Sequence, residues 1–317
     1  MTLTFNIKYI EKCDLYHMFF LMEKDQAIVQ PRVSVIMPAY NRDTTIHAAL
    51  VSALQQNYPN MEFVVVNDGS QDNTQKIVET LQQQDPRIVL VNNSSNFWIS
   101  RSRNIGMEHS TWDIFAVLDS DDIWFREDKI GVQVKFLQDH PNVWILWTNA
   151  IVKNKGKYSY TKERLTDKDI RANSIRGTQF THSTMVYPKE VYEAIGGYNP
   201  KIKYADDREF QLRAGKYFEF ANLPEYMLLY NSHDDNVSHQ HRLRQQMESL
   251  RLSLRYSPHY PNALPWITKK VIGGAYQITT KTLDAMIPWS KDRIKTMIKG
   301  KQEIPWDLPM HMNRDIE

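Results

Sequence analysis

Cysteine is nearly absent from this sequence, since Cys13 is the one cysteine among 317 residues. A single thiol excludes an internal disulfide and any zinc site built from several thiolates. Long apolar runs are absent as well: the nearest, LYHMFFLM at residues 15–22, falls short of the roughly 20 residues that span a bilayer. That run also lacks the cleavage site of a signal peptide. We therefore expect a cytoplasmic protein, and a reducing compartment is compatible with the cysteine count.

Charge of either sign is in little excess, with a formal net charge of +2. This balance does not on its own imply a nucleic acid partner, and we expect none. The glycine-rich motifs GxGxxG and GxxxxGK[ST] do not occur, which excludes the usual dinucleotide-binding fingerprint and the P-loop. What remains is an ordinary globular composition, with 42% hydrophobic and 24% charged residues.

Residues 33–152 alternate between strand and helix patterns. Five apolar runs rich in β-branched residues predict strands: VSVIMPAY, MEFVVVND, RIVLVNN, WDIFAVLD and VWILWTNAIV. Between them, apolar residues recur at helical spacing, as at Ile46, Leu50 and Leu54. Strands this apolar, separated by helices, predict an α/β fold with a mostly parallel central sheet flanked by helices.

The pattern changes after residue 153. The polar stretch KNKGKYSYTKERLTDKD predicts a loop, THSTMVY and FEFANL predict short strands, and PKEVYEAIGGYN predicts a short helix that ends at Gly196. Beyond residue 239 the pattern is helical, with one apolar stripe formed by Leu243, Met247, Leu250 and Leu254.

We accordingly divide the chain into three parts. Residues 1–31 are an N-terminal extension, in which Met22 is a plausible biological start. Residues 32–238 form the main domain, with a nucleotide-binding half at 32–152 and an acceptor half at 153–238. Residues 239–317 form a helical, basic C-terminal extension.

Three polar clusters follow predicted strands directly: AYN at 39–41, NDGS at 67–70 and DSDD at 119–122. In parallel α/β sheets ligands bind beyond the carboxyl ends of the strands, so the clusters predict one nucleotide-sized site. The last cluster places three carboxylates within four residues. Their mutual repulsion and the cost of desolvating them require something that stabilises the cluster.

In order and spacing, VSVIMPAYNR, VVVNDGSQDNT, SRSRNIG and LDSDDIW resemble segments of the family-2 glycosyltransferases, which have a GT-A fold. IGGYNPKIKYADDREFQLR resembles the GGF…ED…LR segment of that family. The resemblance covers roughly residues 32–238, and five motifs in the right order make it specific. It implies a metal-dependent, inverting enzyme that moves a hexose or N-acetylhexosamine from a UDP-sugar to an acceptor glycan. The resemblance also implies an acceptor glycan, free or lipid-linked, and a place in the assembly of surface polysaccharide or lipopolysaccharide.

The resemblance answers the question that the DSDD cluster poses. Asp119, Ser120 and Asp121 match the family's DXD motif, in which Mn²⁺ or Mg²⁺ bridges a carboxylate and the donor diphosphate. Hard oxygen ligands suit these cations, which offset charge on the leaving nucleotide. By carry-over, Asp121 binds the metal and Asp119 contacts the ribose, while His233 lies near the metal. We expect Asp122 only to cap the next helix.

Other donor contacts also carry over from the family: Pro38, Ala39, Tyr40, Asn41, Asp68 and Arg103. Asp68 matches the aspartate that binds uracil, with Tyr40 and Asn41 beside the base. For Arg103, a solvated helix face is an equal alternative to a place near the nucleotide. Trp98 departs from the family, which usually has a glycine there. Its indole is expected to pack against a neighbour, and another path of the loop is an open alternative.

The family's ED pair corresponds to Asp206 and Asp207 in YADDREF. Displacement at the anomeric carbon needs a group that takes the proton of the acceptor hydroxyl, and a positioned carboxylate can do so. We expect Asp207 to be this base and Asp206 to support it. A single base without a carboxylate nucleophile implies inversion. Arg213 either supports the acidic pair or forms a plain ion pair elsewhere.

Residues 265–301 combine many lysines with interleaved apolar residues. A basic amphipathic segment can lie on an anionic membrane surface, which would suit a lipid-linked acceptor. A solvated helical face or a homodimer contact is the alternative.

Two other functions compete with a glycosyltransferase. A phosphatase of the haloacid dehalogenase type would use the DxD at 119–121 as its nucleophile motif, but that motif normally ends the first strand of such a core. A relative that binds nucleotide or glycan without catalysis would be expected to lack acids of the site. Asp68, Asp119, Asp121 and Asp207 are all present, so catalysis is the better interpretation.

Overall fold

The structure is a computed structural model that describes residues 30–111, 113–232, 241–263 and 265–266. The chain divides into two compact units, Met1–Leu264 and Pro265–Glu317. Within the described residues, no helix is both long enough and apolar enough to cross a membrane.

The first half of the fold alternates strands and helices as the sequence predicts. Its elements are β1 (Val33–Ala39), α1 (Ile46–Leu54), β2 (Met61–Asn67), α2 (Thr74–Gln84), β3 (Ile88–Asn92), α3 (Ile99–His109), β4 (Ile114–Val117), β5 (Ile123–Trp124) and α4 (Lys129–Asp139). β1, β2 and β4 are buried at every position, because helices cover both faces of the sheet.

The second half is more irregular. Its elements are β6 (Val143–Asn154), β7 (Lys157–Tyr160), α5 (Asp167–Ser174), a 3-10 turn (His182–Thr184), β8 (Val186–Pro188), α6 (Lys189–Ile195), α7 (Asp206–Ala214), β9 (Glu219–Ser232), α8 (Arg242–Tyr256) and a second 3-10 turn (Ser257–His259). As predicted, α6 ends at a left-handed Gly196 with φ of 73°.

Eight strands follow the order β3-β2-β1-β4-β8-β6-β9-β5, and β7 pairs with β6. β3, β2, β1 and β4 are parallel to one another, and so are β6 and β9. The pairs β4–β8, β6–β8, β6–β7 and β5–β9 are antiparallel. The sheet is mixed: its longer registers, across β3, β2, β1 and β4 and between β6 and β9, are parallel, as predicted, and the antiparallel pairings are short.

Three details of the second half differ from the sequence-based prediction. Residues 153–169 are not simply a loop, since β7 forms there and α5 begins at Asp167. THSTMVY is a 3-10 turn followed by the three-residue strand β8, because the segment turns to place His182 and Ser183 beside the acidic cluster. β9 has 14 residues, far more than FEFANL, and a register irregularity at Thr148 and Asn149 lets it follow β6 along its length.

The two faces of the sheet bury separate hydrophobic cores. One packs α1, α2 and α4 against one face and includes Val35, Leu50 and Val134. The other packs α3, α6 and α7 against the opposite face and includes Ile36, Ile105 and Phe210. On α8 the predicted apolar stripe is largely exposed, with Leu243 70%, Met247 51% and Leu254 49% accessible. The buried face of α8 carries Leu252 and Tyr256 instead.

Candidate active site

Asp68 lies just beyond the carboxyl end of β2 and is 3% exposed. Its Oδ1 accepts hydrogen bonds from Asn93 Nδ2 at 2.8 Å and from the Phe97 backbone N–H at 2.9 Å. Within the described part of the chain, Oδ2 of Asp68 accepts no hydrogen bond. The carboxylate is thus held in place through one of its two oxygens.

The turn after Asp68 requires glycine. Gly69 has φ of +73°, and a Cβ there would lie 2.7 Å from the carbonyl carbon of Ser95. L-residues with a side chain rarely adopt this conformation, and the neighbouring backbone leaves no room for one. The glycine therefore allows the loop after β2 to lie against the loop that precedes α3.

Residues 38–41 lie at the carboxyl end of β1, where the sequence predicts that the nucleotide binds. Pro38 and Ala39 complete the strand, and Tyr40 beyond them is 40% exposed. Asn41 has φ of 51° and is hydrogen bonded twice to the loop after β2. Its N–H donates to Ser70 Oγ at 3.0 Å, and its Oδ1 accepts from Gln71 N–H at 2.8 Å. The structure thus brings the first two polar clusters together.

Arg103 joins the third cluster to the acidic pair of α7. Its Nη2 donates to Asp119 Oδ1 at 2.6 Å, and its Nη1 donates to Asp206 Oδ2. The side chain is 2% exposed, and its guanidinium lies 5.4 Å from the centre of the Tyr198 ring. The alternative of a solvated helix face is wrong, because Arg103 is a buried cation between two carboxylates.

This arrangement shifts the pKa values of the acids in opposite directions. Burial favours the neutral acid, but the Arg103 guanidinium outweighs it at Asp119 and holds the pKa of that carboxyl below its usual value. At Asp206 the effect of burial is larger than that of Arg103. Burial, together with the nearby Asp207 and Asp119 charges, raises the pKa of Asp206 to about 6. The two carboxylates that share one arginine are therefore not equivalent.

Asp207 is partly exposed in the first turn of α7. Its Oδ1 accepts the backbone N–H of Arg208 at 2.7 Å. Burial raises the pKa of Asp207, opposed by that hydrogen bond and by Arg103. A partly exposed carboxylate with a raised pKa, next to a buried one held by an arginine, has the properties of a general base.

Asp121 is 8% exposed, and its Oδ2 lies 3.6 Å from Arg42 Nε. Its backbone carbonyl accepts a hydrogen bond from Asn231 Nδ2 at 2.6 Å, so β9 fixes the position of Asp121. The described residues contain no cluster of three or more His, Cys, Asp or Glu side chains that could enclose a metal. One carboxylate together with substrate phosphate oxygens is nevertheless a usual ligand set for Mg²⁺. Asp121 thus fits a cation shared with a diphosphate.

Asp122 does not cap a helix, so that prediction is wrong. α4 begins only at Lys129, whereas Asp122 is fully buried. Its carboxylate accepts a hydrogen bond from the Ser183 hydroxyl at 2.5 Å and another from the Asn231 N–H at 3.1 Å. Burial and the adjacent Asp121 and Asp119 raise its pKa well above the usual value. Asp122 therefore fastens the acidic loop to the 3-10 turn and to β9.

Sequence reasoning missed the 3-10 turn at His182–Thr184 as part of the site. Ser183 Oγ also accepts the Asp119 N–H at 3.1 Å, so one hydroxyl joins Asp119 and Asp122. His182 Nε2 lies 3.0 Å from the Tyr198 hydroxyl, and burial beside Arg103 lowers the pKa of this histidine well below its usual value. No motif indicates the turn, because its side chains reach the site only through the fold.

Arg213 does not support the acidic pair. Its guanidinium donates to Glu209 at 2.9 and 2.8 Å, and to the backbone carbonyls of Ile195 and Gly197. The alternative of a plain ion pair is confirmed, and the pair also satisfies carbonyls at the end of α6. Ser120 is buried beside Asp121, and His233 lies outside the described residues.

Trp98 precedes α3 with φ of 72° and ψ of 155°, a region of backbone space that is essentially restricted to glycine. The loop therefore keeps a glycine-type conformation at the position where the resembled family has glycine. The indole is 38% exposed. It packs edge-on against Tyr204 with ring centres 6.2 Å apart, and Lys203 Nζ lies 4.3 Å from its centre.

A comparison with known families decides the identity. The family described as glycosyl transferase family 2 matches residues 34–196. The chain belongs to this family. Among curated relatives, an uncharacterized glycosyltransferase of Haemophilus influenzae is 29% identical over 245 residues, which cover 74% of this chain and 76% of the relative. Membership of this family supports a glycosyltransferase over a phosphatase.

Two relatives carry names that refer to glycan assembly. A putative teichuronic acid biosynthesis glycosyltransferase of Bacillus subtilis, TuaG, is 32% identical over 47% of this chain and 60% of its own. The Escherichia coli UDP-Glc:alpha-D-GlcNAc-diphosphoundecaprenol beta-1,3-glucosyltransferase WfgD is 35% identical over 38% of this chain and 47% of its own. This chain thus spans only about half to three fifths of the length of these two relatives.

Solved structures confirm the GT-A fold. S. aureus TarS, residues 1–349, superposes with a TM-score of 0.58 at 19% identity over 70% of this chain and 64% of that one. The mannosyltransferase PcManGT from Pyrobaculum calidifontis, solved with GDP-Man and Mn²⁺, gives a TM-score of 0.60 at 18% identity over 94% of both chains. TarS has also been solved with UDP and with UDP-GlcNAc.

Proposed function

We propose that this glycosyltransferase moves a hexose or N-acetylhexosamine from a UDP-sugar to an acceptor glycan, with inversion and with a divalent metal. One observation carries the proposal: Asp68, Asp119, Asp121 and Asp207 lie around the end of the parallel strands, and Arg103 links the DXD loop to the acidic pair. That is the edge at which a nucleotide-sized ligand binds in such sheets.

In this proposal the two ends of the donor are held by different strands. Asp68 accepts a hydrogen bond from the base through its remaining oxygen, Tyr40 and Asn41 lie beside the base, and Asp119 contacts the ribose. Asp121 would hold Mn²⁺ or Mg²⁺, and His233 would be a second ligand. The bound cation supplies neutralisation of charge on the departing diphosphate.

Asp207 then takes the proton of the acceptor hydroxyl. Because Asp206 is held by Arg103, Asp207 is the carboxylate of the pair that remains accessible to an acceptor. One accessible base, with no second carboxylate placed as a nucleophile, supports direct displacement and hence inversion. Membership of glycosyl transferase family 2 supports these roles.

One relative is named for teichuronic acid biosynthesis and the other for glucosyl transfer to a diphosphoundecaprenol-linked sugar, and these names support a glycan acceptor, free or lipid-linked. We extend the proposal to location, with the enzyme in the cytoplasm and residues 265–301 resting on the inner membrane. Apart from Pro265 and Trp266 that segment lies outside the described residues, and a homodimer contact there is the competing proposal.

The experiment is a donor screen on the purified full-length protein. UDP release is measured from UDP-glucose, UDP-galactose and their N-acetyl forms, with Mn²⁺ or with EDTA, and with GDP-mannose as the comparison donor. We expect metal-dependent UDP release from at least one UDP-sugar, even with water as the acceptor. Turnover of GDP-mannose alone would contradict the UDP assignment, and equal turnover in EDTA would contradict the metal.

A further inference from the structure

Three side chains at the edge of the site are not used by the proposed mechanism. Trp98 presents 38% of its surface to solvent, Tyr204 packs against its edge, and the ammonium of Lys203 lies 4.3 Å from the indole centre. We call these residues, Trp98, Lys203 and Tyr204, the aromatic platform.

The chain ties the platform to both ends of the site. The Phe97 N–H, directly before Trp98, donates to Asp68 at 2.9 Å. Tyr204 lies two residues before Asp206 on the acidic side. Ser100 Oγ donates to the Ile202 carbonyl at 2.8 Å, which joins the start of α3 to the loop that carries Lys203. The platform therefore borders the space between the base-binding aspartate and the acidic pair.

The backbone at Trp98 argues against a residue that merely fills space. Its φ of 72° and ψ of 155° suit glycine, so a large side chain is held there against the local preference. Strained residues persist when the surroundings determine them, and they cluster at ligand sites. An exposed indole with such a backbone is a recognisable candidate for ligand contact.

The chemistry of the platform matches an anionic sugar. The flat indole complements the C–H face of a pyranose ring, whose slightly positive hydrogens are attracted to the negative face of the aromatic system. Lys203 takes part in no ion pair with a described residue. Arg244 adds a second cation, since its Nη1 donates to the Tyr204 hydroxyl at 3.1 Å. A carboxylate is also near, because Glu248 accepts the Tyr204 N–H at 3.3 Å.

We propose that the aromatic platform binds the acceptor, with Trp98 stacking on a pyranose ring and Lys203 pairing with an anionic substituent of that acceptor. The substituent is a phosphate or a uronic acid carboxylate. This inference rests on the proposed function, because it names the acceptor class for the same site.

Ligand-observed NMR titration of the full-length protein with UDP and Mn²⁺ tests the proposal. The probes are methyl β-glucoside as the neutral sugar, methyl β-glucuronide as the carboxylate, and glucose 1-phosphate as the phosphate. We expect wild-type protein to bind at least one anionic sugar severalfold more tightly than the neutral one. Which anion is preferred distinguishes a uronate-bearing acceptor from a phosphate-linked one.

Two substitutions at Trp98 separate the indole from the backbone strain. Trp98→Gly removes both, whereas Trp98→Ala removes the indole and keeps the disfavoured conformation. We expect both to weaken sugar binding about tenfold, as the loss of an aromatic contact should. Lys203→Met should retain neutral-sugar binding and lose the preference for the anionic probes. Tyr158→Ala, at a 57% exposed aromatic of β7, is the matched control.

UDP affinity is measured on the same samples. It should stay within about twofold of wild type in every variant, because no platform side chain is assigned to the nucleotide. Wild-type protein that binds UDP but no probe, or Trp98 variants that bind the probes as wild type does, would overturn the platform alone. Wild-type protein that does not bind UDP would instead overturn the proposed function.

Discussion

At the scale of single residues, Arg103 organises the acids of the site. It is 2% exposed and contacts both Asp119 and Asp206. Removing one partner of such a group leaves an uncompensated buried charge, which is strongly destabilising. The partners are 16 and 103 residues away in sequence, so the contacts form only because the fold brings α3 beside the loop after β4 and the start of α7. By contrast, the i,i+4 spacing of Glu209 and Arg213 made that ion pair predictable.

The assignment of the base yields a prediction for Asp207→Asn. The amide keeps the size of the side chain but cannot accept a proton, so turnover should fall by about 10²- to 10⁴-fold. UDP affinity should stay within about twofold of wild type, because the base does not touch the nucleotide. Release of UDP under saturating donor, together with a binding titration, checks both. Asp139→Asn on the exposed face of α4 is the control, and a variant that kept most of its transfer rate would contradict the assignment.

The pH dependence of transfer follows from the raised pKa values of the acidic pair. Burial raises the pKa of Asp206 to about 6, with a contribution from the adjacent Asp207 charge, and burial also raises the pKa of Asp207. The base must be ionised to act. Activity should therefore rise with pH through an apparent pKa above that of an ordinary aspartate. In Asp206→Asn the acidic limb should move to lower pH, because a negative neighbour of Asp207 is removed. A pH profile of kcat/KM whose acidic limb did not move would contradict an effect of the Asp206 charge on Asp207.

At the scale of elements, the acidic loop is fixed by what lies beneath it. Ser183 joins Asp119 and Asp122, and Trp124 Nε1 donates to the Ser183 carbonyl at 2.7 Å. Lys129, at the start of α4, is fully buried. Its Nζ donates to Gln133 at 2.6 Å and to the Thr184 carbonyl at 3.3 Å. The loop is thus held by a buried polar network that connects α4 to the 3-10 turn.

This network makes the stability of the protein depend on Lys129. Burial lowers the pKa of Lys129 well below its usual value. Between the pKa of Lys129 in the folded protein and its higher pKa in the unfolded chain, Lys129 keeps its proton only in the unfolded chain. Over that pH range the free energy of unfolding of the wild type should therefore rise by up to about 1.4 kcal/mol per pH unit. Lys129→Met lacks this group, so the difference between the two proteins should grow with pH in urea denaturation. A difference that stays constant between neutral and alkaline pH would show that the lysine remains charged.

Elements in the first half were predicted well, because strands buried on both faces give continuous apolar runs. The second half was predicted less well for identifiable reasons. β7 is exposed at all four positions and therefore lacks an apolar pattern. α5 is capped by Thr166, whose hydroxyl accepts a hydrogen bond from the Asp169 N–H at 3.3 Å. This capping signal lies inside a polar stretch that suggested a loop.

At the scale of the whole molecule, the site lies where two differently built halves of one sheet meet. The parallel half contributes Asp68 and Asp119, and the mixed half contributes α7 and the residues of β9 that hold the acidic loop. The order of motifs along the chain sufficed to predict the fold and the edge that carries the site. It did not predict that Ser183 and Asn231 support that edge, since neither belongs to a motif.

The donor site as a whole is tested most directly by calorimetric titration of UDP into the full-length protein, first with Mn²⁺ and then with EDTA. We expect binding with Mn²⁺ and at least tenfold weaker binding in EDTA, because in the proposed site Asp121 would hold a cation that offsets the charge of the diphosphate. Asp121→Ala should bind UDP equally weakly in both buffers, whereas Asp139→Ala should behave as wild type. Equal affinity with Mn²⁺ and EDTA in wild-type protein, or no UDP binding in either, would contradict the account.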